Sequence, residues 1–113
     1  MTITYDKFFY PTVLSSTVAT LLTIPATSAT TLLRGARIRF TNTASIPLTV
    51  TAYAVPPSGA ASAANVFAYA KSVPINDYID IDVPIMPAGA LLQALCSVGS
   101  GVTAHMISGS YFT

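Results

Sequence analysis

Ionised side chains are the scarcest feature of this 113-residue sequence. Lys7, Arg34, Arg37, Arg39 and Lys71 stand against Asp6, Asp77, Asp80 and Asp82, which is 8% of the chain where about 25% is ordinary. The net charge is +1, with no basic run and no arginine-rich tail, which argues against nucleic acid as the main partner. No run approaches the roughly 18 apolar residues of a membrane span, so no membrane partner is expected. Met1 to Pro11 lacks the positive start, long apolar run and small-residue cleavage site of a secretory leader, and predicts synthesis in a cytoplasm. A single cysteine, Cys96, fits a reducing compartment. Tryptophan is absent, and no segment has a helical period.

Reactive groups are as scarce as charge. His105 is the only histidine and sits in the apolar run Val102-Thr-Ala-His-Met-Ile107. A catalytic imidazole needs a nucleophile and an orienting carboxylate, and no local motif supplies them, so a packed strand histidine is the plainer reading. One Cys and one His fall short of a zinc site. Asp77, Asp80 and Asp82 lack the loop spacing and turn glycine of a calcium hand. Cys96, between Leu95 and Ser97 with no cationic neighbour in sequence, reads as core filler. The sequence predicts no enzyme, no cofactor and no metal.

What is present is a period of two. Between Leu32 and Val55, Ala36, Ile38 and Phe40 alternate with Arg37, Arg39 and Thr41, and Leu48, Val50 and Ala52 alternate with Thr49, Thr51 and Tyr53. That is the pattern of strands with one buried and one wetter face. Asn42-Thr-Ala-Ser-Ile-Pro47 carries turn-forming side chains and a proline, and predicts that the two strands fold back on each other as an antiparallel hairpin. Further strands are expected over Val18 to Ile24, Val66 to Val73, Tyr78 to Val83, Leu91 to Cys96 and Thr103 to Phe112. In Tyr78 to Val83, Ile79, Ile81 and Val83 point inward while Tyr78, Asp80 and Asp82 point outward. Pro56 to Asn65, small and poor in anchoring side chains, is expected as a long exposed loop; the alternative is a short helix through Ala60 to Ala64, which is too short to hold unaided. Residues 1–17 mix aromatic, charged and hydroxyl side chains around Pro11 and read as an extended N-terminal arm, with residues 18–113 as the folded domain. Seven or eight short strands with prolines at their ends predict an all-β antiparallel β-sandwich of jelly-roll or immunoglobulin-like type.

Size permits such a core. Scaling gives about 5,900 Å² of folded surface against about 17,000 Å² unfolded, so around 65% is buried. The same surface holds one charge per roughly 650 Å², slightly more than the largest apolar patch of a typical monomer. Fifteen Thr and eleven Ser wet part of it, since a hydroxyl suits a strand face. A hydroxyl-covered monomer is one outcome. The other is that part of the outside is covered by protein, because interface cores are depleted in charge.

Two groups are candidates for such contacts. Tyr5, Phe8, Phe9 and Tyr10, with Ile3, make the arm too apolar to float free, so it lies on its own domain or on a neighbour. Arg37 and Arg39 on one strand, and Asp80 and Asp82 on another, are placed to form cross-strand or cross-subunit ion pairs.

Leu21-Leu-Thr-Ile-Pro25, then Ala36-Arg-Ile-Arg-Phe-Thr-Asn-Thr43 and Leu48-Thr-Val-Thr-Ala-Tyr-Ala-Val-Pro56, resemble a layout of small β-sandwich virion structural proteins of tailed bacteriophages. Ile85-Met-Pro-Ala-Gly-Ala-Leu-Leu-Gln-Ala-Leu95, a Gly-Ser turn and Val102-Thr-Ala-His-Met-Ile-Ser-Gly109 look like the second half of that layout. The resemblance implies a capsid decoration or cement protein, or a tail or head-fibre component. It would be made in the bacterial cytoplasm, reside in the virion, and contact itself, as a homo-dimer or homo-trimer, and the phage major capsid or tail protein. It carries over no catalytic residue. The rival reading is a carbohydrate- or receptor-binding module of a phage tail or fibre, with its site on the 56–65 loop and the Val98 to Val102 turn.

Overall fold

A computed structural model describes residues 3–4 and 11–112. Ten strands occur among them: β1 (Ile3–Thr4), β2 (Thr12–Val13), β3 (Ala19–Thr23), β4 (Leu32–Asn42), β5 (Leu48–Val55), β6 (Val66–Val73), β7 (Tyr78–Asp82), β8 (Met86–Pro87), β9 (Leu91–Cys96) and β10 (Val102–Phe112). Seven have five residues or more, matching the segments expected as strands from the sequence. The three two-residue strands carry too short a pattern to show in the sequence.

The strands form two antiparallel sheets packed as a β-sandwich. One runs β1-β10-β4-β7, with β2 also on β10 and β8 also on β4, and the other runs β3-β9-β5-β6. The expected hairpin between β4 and β5 does not form. β4 pairs with β10, β7 and β8, while β5 pairs with β6 and β9 in the facing sheet. The reason is burial. A hairpin would set both apolar stripes on one face of one sheet and still need a cover, whereas opposite sheets let each stripe cover the other. Ala36, Ile38 and Phe40 from β4 thus share one core with Leu48, Val50 and Ala52 from β5, all at 3% exposure or less.

Asn42 holds the chain where it leaves one sheet for the other. Its buried amide donates to the carbonyls of Ile46 (2.9 Å) and Val73 (3.0 Å), and its Oδ1 accepts the Ala44 N–H (2.8 Å). Gly101 lies against the same turn, where a Cβ would collide with the Leu48 side chain.

The long β4–β10 ladder bends in its middle. Register steps from Met106 opposite Ile38 to Ser108 opposite Arg37, then to Ser110 opposite Arg34, so an extra residue on β10 is followed by an extra residue on β4. Gly35 absorbs the second with φ 64°, a left-handed conformation that glycine adopts freely. Alternation therefore breaks at Arg34-Gly35, and both Leu33 and Ala36 point inward.

The described parts of the N-terminal arm lie on the chain's own sandwich. Thr12 and Val13 pair with Ala104 and Thr103, Ile3 and Thr4 with Phe112 and Tyr111, and Leu14 is 1% exposed in the core.

Replacing Asn42 with Ala strands two carbonyls and one N–H inside the inter-sheet turn. Chemical denaturation of Asn42→Ala should show a loss of about 2–3 kcal/mol. Asn42→Asp, which sets a carboxylate against two carbonyl oxygens, should be no better.

Candidate functional site

On the outer face of the β4–β7 pair, register alone decides who meets whom. Arg37 stands opposite Asp82, Arg39 opposite Asp80 and Thr41 opposite Tyr78. Arg39 grips Asp80 with both ends of its fork, Nε to Oδ1 at 2.8 Å and Nη2 to Oδ2 at 3.0 Å, while Arg37 Nε reaches Asp82 Oδ1 at 2.9 Å. The Tyr78 ring lies 4.0 Å from the Arg39 guanidinium carbon, a cation–π contact that closes the end of the row. Hydrogen bonds from Arg39 hold the Asp80 carboxyl below its ordinary value, and the charges of Arg39 and Arg37 add to them, against a burial that pushes the other way. Asp80 raises the Arg39 pKa in turn, chiefly through the same hydrogen bonds. The four residues therefore meet within one chain, and the pattern locks register: a slip of one residue would set arginine against isoleucine.

The same row continues to β10, where His105 pairs with Arg39. Arginine stands between the histidine and the carboxylate, so Asp80 is committed to Arg39 and does not orient the imidazole. Cys96 is buried, with its thiol 2.9 Å from the Val98 carbonyl. Among the described residues no group of three or more His, Cys, Asp or Glu is placed to hold a metal ion.

One end of the sandwich gathers four inter-sheet loops, 15–18, 43–47, 74–77 and 97–101. Each exposes one aliphatic side chain: Val18 (40%), Ile46 (49%), Ile75 (41%) and Val98 (47%). Hydrogen bonds link the loops in a row. Ser100 N–H donates to the Leu14 carbonyl (3.0 Å), Thr43 N–H to Gly101 (2.9 Å) and Asn42 N–H to Asp77 (3.0 Å). Asp77 is the one charged residue within the four loops. The sequence signal for this end was faint, being single aliphatic residues amid Pro, Gly and Ser, outside any period.

The side of the sandwich is different. β6 and β7 are edge strands of opposite sheets, and between them runs an open groove of about 390 Å³ lined by Phe67, Tyr69, Lys71, Asp80, Ile81 and Asp82. Against β5, β6 carries an extra residue twice: its partners step from Lys71 to Ala68 across two residues of β5, then from Ala68 to Val66 across one. At the first bulge Ala70 is left-handed (φ 47°), and its N–H donates to the Oγ1 of buried Thr51 at 3.1 Å. Such a conformation costs about 1–3 kcal/mol for a residue with a Cβ. A parity break between the inward Ala68 and Val73, five residues apart, was its trace in the sequence.

Tyr5, Phe8, Phe9 and Tyr10 lie outside the described residues. The 56–65 loop and the Val98 to Val102 turn, read together as a rival binding site, stand at opposite ends of the sandwich. The six residues of β9 separate them, about 20 Å at a strand's rise, so they do not form one site. No protein-family model, curated protein or solved structure matches the chain.

Because the folded state holds Asp80 below its ordinary value of 3.8, the pair stabilises the fold fully above that value and is lost as pH falls through the lower, folded one. Acid titration of stability should show wild type ahead of Asp80→Asn at neutral pH and the two curves converging below pH 3.8. Parallel curves throughout would mean that the ion pair is not linked to folding.

Proposed function

We propose that the chain is a structural virion protein of a tailed bacteriophage, a capsid decoration or cement protein without catalytic activity. It works by burying its loop end against sister copies and the shell. The observation that carries this reading is the set of four exposed aliphatic side chains, Val18, Ile46, Ile75 and Val98, on four adjoining loops with one charge among them. Depletion of charge is what marks the core of a protein contact.

Size supports many copies acting together. The molecule measures 45 × 26 × 17 Å. An eleven-residue strand is about 36 Å long, so the long axis follows the strands. The end is then 26 by 17 Å, a cross-section of about 440 Å², roughly half of the ~800 Å² that each partner gives to a standard interface. One such contact is weak. Repeated by symmetry over a shell, or joined by contacts between sister copies as a dimer or trimer, it becomes strong through effective concentration.

The scarcity of charge over the remaining surface agrees with this reading, as does the resemblance of the strand and turn layout. Synthesis in the bacterial cytoplasm and residence in the virion follow from the proposal.

Mass spectrometry of gradient-purified particles from cells carrying the gene should find the chain in many copies per particle. The double variant Ile46→Lys/Val98→Lys changes exposed positions and should fold, yet leave particle occupancy about tenfold lower or less than that. A wild-type chain found as a free monomer at high concentration, absent from particles, would overturn the proposal.

A further inference from the structure

We infer that the groove between β6 and β7 is a binding site for a short saccharide, neutral or singly acidic. This inference does not rest on the virion reading. Three observations converge on it.

The first is the aromatic platform. The two bulges of β6 fall beside Phe67 and beside Tyr69 and Ala70, and both aromatic residues line the groove. Tyr69 is 79% exposed although it sits inside a strand. The left-handed Ala70 next to it is held by the buried Thr51 hydroxyl, and a bulge is the device by which a strand re-aims a side chain. An exposed ring beside a groove offers its face to the C–H face of a sugar.

The second is a set of fixed polar groups. Asp80 and Asp82 reach the groove already clamped by Arg39 and Arg37. Asp80, bound by Arg39 at both oxygens, can accept hydrogen bonds from ligand hydroxyls with little rotamer freedom left to lose, while Asp82 is held at one oxygen only. Asp82 Oδ2 accepts no hydrogen bond from the described residues, so it remains open to a ligand hydroxyl. Lys71 adds three donors and forms no ion pair among the described residues. With both aspartates balanced by arginine, Lys71 leaves one positive charge, which suits a neutral or singly acidic ligand and opposes a cationic one.

The third is size and shape. A groove of about 390 Å³ lies at the small end of the roughly 300–1,000 Å³ of small-ligand sites. An added peptide strand, the other occupant of a sheet edge, is disfavoured here. β6 is bulged twice, and β7 has five residues with Pro84 soon after, so neither offers a long regular edge.

The test is binding of the full chain to an array of neutral and acidic oligosaccharides of one to four rings. Wild type should bind at least one class, Tyr69→Ala should weaken that binding by about tenfold or more, and Tyr69→Phe, which keeps the ring, should retain it. Ala70→Gly suits the left-handed backbone and should also retain binding, whereas Thr51→Val removes the acceptor that holds the bulge and should lose it in a protein still folded by circular dichroism. No binding across the array overturns the inference, as does binding that Tyr69→Ala leaves intact. It is overturned too if an alternating Thr-Val hexapeptide, and no saccharide, shifts the amide resonances of Tyr69 and Lys71.

Discussion

Ala36, Ile38 and Phe40 need a cover, and the cover is the stripe Leu48, Val50 and Ala52 that follows them after a five-residue turn. That mutual burial is the constraint on which the architecture depends. It requires consecutive strands to lie in different sheets, so the turn between them must cross the sandwich, and Asn42 satisfies the backbone groups that the crossing would otherwise leave bare. The other crossings at that end are tied to the first. Val73 accepts from Asn42, Gly101 accepts from Thr43, and Leu14 accepts from Ser100.

Chain crossings at one end also explain where the exposed aliphatic residues fall. A loop that leaves one sheet for the other cannot present a regular alternation, so Val18, Ile46, Ile75 and Val98 have no inward face to occupy and remain at the surface. Elsewhere the β4–β7 face carries the two paired arginines, and exposed apolar side chains such as Val13, Ile85 and Ile107 occur singly. The loop end thus groups four of the exposed aliphatic side chains around a single charge, and the proposed docking rests on that grouping. The molecule's lateral groove belongs to another part of the surface, made where β6 and β7 leave the two sheets uncovered on one side. The proposed docking end and the proposed saccharide groove therefore occupy separate parts of one small domain.

The ion pairs have a different standing from the core. Arg37 and Arg39 meet Asp82 and Asp80 because the β4–β7 register places them opposite, and the pairs in turn penalise any other register. They are exposed enough for water and salt to screen them, so their contribution lies in specificity more than in holding the sandwich together. Positioned carboxylates are nevertheless useful to a neighbour, and the groove beside β7 takes both of them into its wall.

The alternating stretches Ala36 to Phe40 and Leu48 to Ala52 could be read from the sequence alone, because facing inward or outward is a local property that repeats every second residue, whereas the twice-bulged β6 keeps no such period. The sandwich class and the outward charges of β4 and β7 followed from the same rule. The partner of each strand could not be read that way. Asn42 to Pro47 has the composition of a hairpin turn and makes a sheet crossing, since pairing is settled by which distant stripe best buries Ile38 and Phe40. The two-residue strands, the gathering of four loops at one end and the groove between β6 and β7 likewise arise only when segments far apart in the chain meet. Local periodicity carries a residue's facing, while its neighbours across space depend on the packing of the whole core.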